Sequence, residues 1–428
     1  MKKILTKYLL KSEFAKNTFT LTIGTSVAQA FPIIFYPILG RIYTPVEFGL
    51  LATLTSITTI LAVIATGKYE SSIVITDSKK DGVNVIGLVL ILSLIFLILS
   101  FIILQIFSVQ VGIWLSEPKL KKWLFVCPIS AYVIIIFNCY NEWCVRNKYF
   151  KRLSWNKIIN SSSITLSKLL LGIYKIFSAG LVVGDLIGRT ISAGGCVFRA
   201  LQMDKFEFKK ISRKQMQKLA KRYIEFPKFS LSAQLINTIG FTVPVLIIGA
   251  NSSSKEVGYY AMTMNVLSIP ISIISIAIRD VFKQRANEEY IRTGSCLNIV
   301  QRLLKILIFW GMLGSSILFF VLPDMFSIVL GKEWRVAGEY SQILLPMVTA
   351  NFIAMALSGV LIVTENLRII FFWQIYYAII TITSLLIGFK VFHDIKISLI
   401  CFSVGRCTAY IIYIILAYKY SKGNIKNE

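Results

Sequence analysis

Apolar stretches of about twenty residues recur from one end of this chain to the other, and about twenty such residues suffice to cross a bilayer as a helix. That recurrence, with 56% of 428 residues hydrophobic, predicts an all-α polytopic membrane protein. Hydropathy places twelve transmembrane helices. The first six run over 17–40, 47–66, 84–108, 122–144, 155–178 and 179–200. The second six run over 227–250, 256–278, 299–323, 338–364, 366–389 and 397–418. No remaining segment is long and polar enough for a separate soluble domain. The expected organisation is an N-terminal six-helix bundle over 1–204, a basic cytoplasmic linker over 205–226 and a C-terminal bundle over 227–428.

The formal charge is +25. In a soluble chain this would suggest nucleic acid. Here the 46 Lys and Arg residues divide by side of the membrane: 33 lie before, between or after alternate spans on one side, 10 on the other, and three inside spans. Cationic loops stay cytoplasmic, so both termini are expected in the cytoplasm and no nucleic-acid partner is implied. The lysine-rich start, Met1 to Asn17, lacks the apolar core of a cleavable signal. Seven cysteines without a CxxC pair and a single histidine, His393, argue against a disulfide framework or structural zinc. The outward loops are short and hold no carboxylate–histidine set, nucleophile motif or Gly-rich phosphate loop, so no catalytic site, metal or cofactor is expected.

The two halves resemble each other. Gly40, Glu47, Gly49 and Ala52 recur as Gly249, Glu256, Gly258 and Ala261 at a constant offset of 209. The sixth span of each half carries a central Gly-Arg, Gly188-Arg189 and Gly405-Arg406. Six spans per half give a parallel repeat about a pseudo-twofold axis along the membrane normal, and transporters built this way bind substrate between the halves.

The three intramembrane cations are Lys168, Arg189 and Arg406. A charge at the bilayer centre costs about 2.5–3.5 kcal/mol on insertion scales, so each must face a polar cavity or pair with an anion. Lys168 lies on a stripe with Ser161, Thr165, Gly172 and Lys175, all on one helical face. The stripe reads as a cavity face, with helix packing as the bland alternative. Arg189 lies four residues after Asp185 and can be neutralised by it. Gly180, Gly184 and Gly188 form a small-residue ridge for close helix packing. Arg406 has no carboxylate within a turn. Lys168, Arg189 and Arg406, with Arg41 on the outward side, form the expected cationic cavity. Lys68, Glu70, Arg146 and Arg279 close helices at the cytoplasmic side and form an expected vestibule or gate. End charges paired locally are the simpler account of those four. Gln29, Pro32 and Pro37 interrupt the first span, as a packing kink or a bend for alternating access.

Two stretches carry a resemblance. One runs from Tyr223-Ile-Glu-Phe-Pro227 through Pro244-Val-Leu-Ile-Ile-Gly249 to Glu256-Val-Gly258-Tyr-Tyr-Ala261. The other holds Pro37, Gly40-Arg41, Tyr43, Pro45 and Phe48-Gly49, followed by Lys68-Tyr69-Glu70. Both resemble Wzx-type O-antigen and polysaccharide flippases of the multidrug/oligosaccharidyl-lipid/polysaccharide exporter superfamily. The resemblance implies two V-shaped bundles around a central cavity in the inner membrane. It implies translocation of undecaprenyl-diphosphate-linked oligosaccharide, with cationic residues holding the diphosphate. A polysaccharide polymerase and a chain-length regulator are the protein partners it suggests. The family often has arginine where Lys68 stands. The helix 1 aspartate of some drug-exporting relatives is absent, so a coupling ion, H+ or Na+, has no assigned ligand. A peptidoglycan lipid-precursor flippase and a multidrug cation exporter of the same fold are the alternatives. A membrane polymerase or ligase would need a larger outward loop.

Overall fold

The computed structural model describes residues 13–176, 179–204, 206 and 211–423. The first part of the expected N-terminal lead-in, 1–12, and residues 205 and 207–210 of the basic linker lie outside the described residues. Among the described residues there is no strand, and twelve helices have twenty-one or more residues. They are α1 Glu13–Ile42, α2 Pro45–Thr66, α3 Lys79–Ile106, α4 Val126–Arg146, α5 Phe150–Ile173 and α6 Gly180–Gln202. Then follow α7 Leu231–Asn251, α8 Ser254–Thr293, α9 Leu297–Leu330, α10 Arg335–Ala356, α11 Leu367–Ile387 and α12 Ile395–Ser421. Among the described residues ten helices are long and apolar enough to cross a membrane. α4 and α5 fall short because polar residues, such as Ser161 to Ser163 and Lys168 in α5, dilute their hydropathy.

Helix starts follow local chemistry. Ser78 caps α3 by accepting from the Asp81 N–H at 3.0 Å, and Asp394 caps α12 by accepting from the Ile397 N–H at 2.9 Å. The repeat is visible in two of these starts. The Thr44 N–H donates to the Glu47 carboxylate at 2.9 Å before α2, and the Glu256 N–H donates to Ser253 Oγ at 3.4 Å before α8. Thr44 and Ser253 are 209 residues apart, as are Glu47 and Glu256; the first start makes one of the two bonds of a capping box and the second makes the other.

The chain packs as two units, 1–43 with 50–238 and 44–49 with 239–428. In the first, a core forms where α3, α4 and the 3-10 turn Tyr69–Ile75 meet, with Ile73, Val85, Val89, Ala131 and Ile135 buried. The linker is not featureless. Arg213–Arg222 forms a short helix that buries Leu219 in this core. It is tied down by Gln215 to Asp81 at 2.6 Å and Arg222 to Asp77 at 2.5 Å.

In the second unit, Phe48, Tyr259, Trp334 and Tyr340 stack edge to face, with Phe48 and Trp334 centroids 5.2 Å apart. The Tyr340 hydroxyl donates to the Glu256 carboxylate beneath them. The repeat glycines make a reciprocal contact here. A Cβ on Gly49 would meet the Ser254 carbonyl oxygen at 1.7 Å, and one on Gly258 would meet the Pro45 carbonyl oxygen at 1.8 Å. Pro45 and Ser254 are themselves repeat partners. Each glycine thus touches the counterpart of the residue that touches its own counterpart, which is the signature of a local twofold.

Candidate functional site

Glycine sets the distance between α5 and α6, which hold the charged centre. A Cβ at Gly184 would lie 2.7 Å from the Lys168 Cα, and one at Gly188 would lie 2.3 Å from the Ile164 Cα. Only residues without side chains let these backbones approach so closely. Gly172 and Gly180 make similar room for Tyr43, whose hydroxyl donates to the Lys168 carbonyl at 2.8 Å. The ridge therefore brings Asp185 of α6 beside Lys168 of α5.

Asp185 takes two cations. Lys168 Nζ lies 2.8 Å from its Oδ1, and Arg189 Nε lies 2.5 Å from its Oδ2. Arg189 Nη2 adds a longer contact to Oδ1 at 3.4 Å. The side chains of Lys168, Asp185 and Arg189 retain only 14%, 11% and 19% of their exposure. Desolvating such ions costs several kcal/mol each, and the shared carboxylate offsets part of it. One acid against two bases leaves the cluster with a formal charge of +1. Lysine has three donors and arginine five, so both cations keep N–H groups that an anion could use.

The rest of the α5 stripe does not face a cavity. Ser161 Oγ donates to the Ala28 carbonyl of α1 at 2.5 Å, and Thr165, 2% exposed, donates to the Ser161 carbonyl. Gly172 lies against Ile42 and Tyr43, and Lys175 is exposed beyond the end of α5. Helix packing explains the stripe, and only Lys168 turns to a charged partner.

Arg406 has a different environment. It is 2% exposed within the second unit. Its Nη2 donates to the Gly240 carbonyl at 2.6 Å and its Nε to Thr381 Oγ1 at 3.3 Å. The guanidinium lies 4.7 Å from the ring centre of Tyr377, 4.8 Å from Phe402 and 5.8 Å from Phe241. A desolvated cation over an aromatic face gains about 2 kcal/mol or more. Among the described residues no carboxylate pairs with it. Aromatic faces and a backbone carbonyl replace the expected anion, and the side chain is built into helix packing. The preceding Gly405 lets α12 approach Ser384 of α11, as Gly188 lets α6 approach α5.

Of the remaining expected residues, Arg41 is exposed in the last turn of α1. Lys68 is in the left-handed conformation, φ 62°, and its Nζ lies 3.4 Å from the buried Glu70 carboxylate. Arg146 donates to Thr76 Oγ1 at 2.8 Å and to the Thr76 carbonyl at 3.1 Å. These three brace the turn between α2 and α3, as local pairing would have it. Glu142, one turn before Arg146, is within electrostatic reach of Lys68 and Glu70. Arg279 does not close a helix. α8 continues to Thr293 and ends at Gly294, φ 72°.

An all-helical protein with membrane-spanning helices is the class these features define. One comparison structure is the lipid II flippase MurJ in its inward closed conformation, at TM-score 0.72 and 13% identity over 94% of this chain and 87% of that one. Another is an inward-facing multidrug resistance MATE transporter of the MOP superfamily, at TM-score 0.65 and 14% identity over 94% of both chains. A MOP superfamily transporter from Pyrococcus furiosus aligns at TM-score 0.54 and 14% identity over 96% of both chains. At such identities the likeness is one of fold. Residues 14–282 match the family described as polysaccharide biosynthesis protein, and the chain belongs to that family. No curated protein sequence matches it.

Proposed function

We propose that this chain is a flippase that moves a polyprenyl-diphosphate-linked oligosaccharide from the inner to the outer leaflet of the cytoplasmic membrane, for surface polysaccharide synthesis. The observation that carries this reading is the Lys168–Asp185–Arg189 cluster, a net positive centre on two adjoining helices of a chain from a polysaccharide biosynthesis family. Asp185 holds the two cations in position while no substrate is present. A diphosphate exchanges with the carboxylate, gaining charge-assisted hydrogen bonds from Lys168 and a planar donor pair from Arg189. On release Asp185 recaptures both cations, so neither is left unpaired in a dry site. Arg406 acts at one remove, by fixing α12 against its aromatic neighbours. Arg41 and the charges at Lys68, Glu70, Arg146 and Arg279 serve entry and exit of the headgroup.

Moving two negative charges outward gains about 4–5 kcal/mol per 100 mV of membrane potential, and an H+ or Na+ gradient would add to it. The polyprenyl tail stays in lipid. A polymerase and a chain-length regulator would receive the product. The chain itself breaks no bond in this reading.

The fold likeness to a lipid II flippase favours one second reading, transport of a peptidoglycan lipid precursor. Complementation separates the two. Strains lacking a polysaccharide flippase or a lipid II flippase would each receive the wild-type gene, Lys168→Ala or Arg189→Ala, with membrane insertion checked. Rescue of the first strain by wild type and loss of rescue in both variants is expected. Rescue of only the second strain selects the second reading. Full rescue by both variants would sink the assigned site.

A further inference from the structure

The charges at the start of α5 are not used by the transport site. Just past the end of α4 at Arg146, the left-handed backbone of Lys148, φ 59°, folds the Tyr149 N–H back to the Cys144 carbonyl at 2.8 Å. α5 starts at once, and the end of antiparallel α6 lies alongside. Together they form an open surface groove of about 590 Å³ within the first unit. Lys148, Lys151, Arg152 and Arg199 line it, and Trp155 and Met203 form its other side.

Two of the cations are fixed. Arg152 lies 2.8 Å from Asp204 and 4.5 Å over the Tyr149 ring, and Arg199 donates to Asn156 Oδ1 at 2.7 Å. Lys148 and Lys151 are exposed and have no ion pair among the described residues. No acidic side chain lies in the first turn of α5. Four bases against Asp204 leave the groove with a formal charge of +3.

The apolar side matters equally. Trp155 is 55% exposed and Met203 60% exposed. Further along, Leu166 and Leu170 of α5 and Phe198 and Ile191 of α6 are exposed as well. Such a surface is what lipid covers, and tryptophan favours its edge. A cationic groove beside exposed apolar side chains fits a molecule with a phosphate at one end and a hydrocarbon chain at the other. A soluble anion would leave the apolar side without a purpose.

We propose that this groove is a binding site for an anionic phospholipid. Its phosphate sits between Lys148 and Lys151, with Arg152 and Arg199 behind, and one chain lies over Trp155 toward Met203. The site is separate from the Lys168–Asp185–Arg189 cluster and does not depend on what the protein transports.

Brominated lipids test it, since bromine quenches a tryptophan it touches. The full chain and its Trp155→Phe variant would be placed in nanodiscs with a minority of brominated phosphatidylglycerol or brominated phosphatidylcholine, and the difference between them read as Trp155 quenching. Two lysines at an anionic headgroup predict an excess of brominated phosphatidylglycerol on the order of tenfold over bulk at Trp155. Lys148→Gln/Lys151→Gln should remove that excess while leaving quenching at the other tryptophans unchanged, which also reports that the variant is folded. Equal quenching by both lipids in the unmodified protein would overturn the proposal. So would full displacement of the excess by millimolar inorganic phosphate, which would mark a site for soluble anions.

Discussion

Replacing Asp185 by asparagine tests the charged centre most sharply, because it keeps the shape and removes the shared negative charge. Lys168 and Arg189 are held 2.8 and 2.5 Å from that carboxylate. Without it both cations lose their shared counter-charge in a desolvated site. Breaking a buried ion pair from one side costs about 3–5 kcal/mol. The unfolding midpoint of D185N, followed by tryptophan fluorescence in nanodiscs, should fall by several degrees. Adding a short-chain polyprenyl diphosphate should then raise the midpoint more in the variant than in the wild type. The freed cations bind the diphosphate without displacing a carboxylate, and a ligand at free concentration c stabilises by RT ln(1 + c/Kd), so a lower Kd gives a larger shift. An unchanged midpoint would show that the cluster is not a coupled triad. A ligand shift no larger than that of the wild type would show that Asp185 and the diphosphate do not compete.

Gly184→Ala and Gly188→Ala should each force α5 and α6 apart, because the new methyl would sit 2.7 or 2.3 Å from a backbone Cα. A loss of about 1–3 kcal/mol, read as a lower unfolding midpoint together with lost transport, is expected, whereas Gly194→Ala meets nothing within 4 Å and should be silent. Arg406→Ala should lower the yield of folded protein by about 2–5 kcal/mol of packing, and Arg406→Lys should restore only part of it because a lysine cannot stack on Tyr377 and Phe402 as a plane does; size-exclusion profiles report both. The clasp between Arg222 and Asp77 should respond to acid. The hydrogen bond and charge of Arg222 hold the Asp77 carboxyl below its ordinary value, so its contribution is complete above about pH 3.9 and fades as pH falls through the lower folded value. Both groups are exposed, so the effect is small and screened by salt; hydrogen-exchange protection over 213–222, corrected for the intrinsic pH dependence of exchange, should fall in acid in the wild type and lose that dependence in Asp77→Asn.

The long helices are legible in the chain because crossing a bilayer demands about twenty apolar residues in a row. Their ends are less so. Hydropathy stops α8 near 278 at Arg279, yet the helix runs to Thr293, since helical hydrogen bonds need no apolar side chains once the segment leaves lipid. The repeat is legible as four matched residues, and the reciprocal Gly49 and Gly258 contacts are consistent with it. Within the site, the Asp185 to Arg189 pair follows from an i,i+4 spacing. The claim of Lys168 on the same carboxylate does not, because it depends on how two helices meet. The glycine ridge was the signal for it, since it marks the face where α6 comes nearest its neighbour. Arg406 shows the opposite limit. Its helix displays an uncompensated charge, while the rings and carbonyl that receive it come from α7, α11 and its own previous turn.

Translocation in a defined membrane bears most directly on the central claim. Proteoliposomes carrying the purified chain and a fluorescent polyprenyl-diphosphate oligosaccharide in one leaflet would be probed with a membrane-impermeant quencher. Wild-type protein should make the fluorescent headgroups accessible from the opposite side, faster when the membrane potential favours that direction, and Lys168→Ala or Arg189→Ala should bring the rate to that of protein-free vesicles. Translocation by both variants at the wild-type rate, or none by the wild type under any potential, would contradict the account.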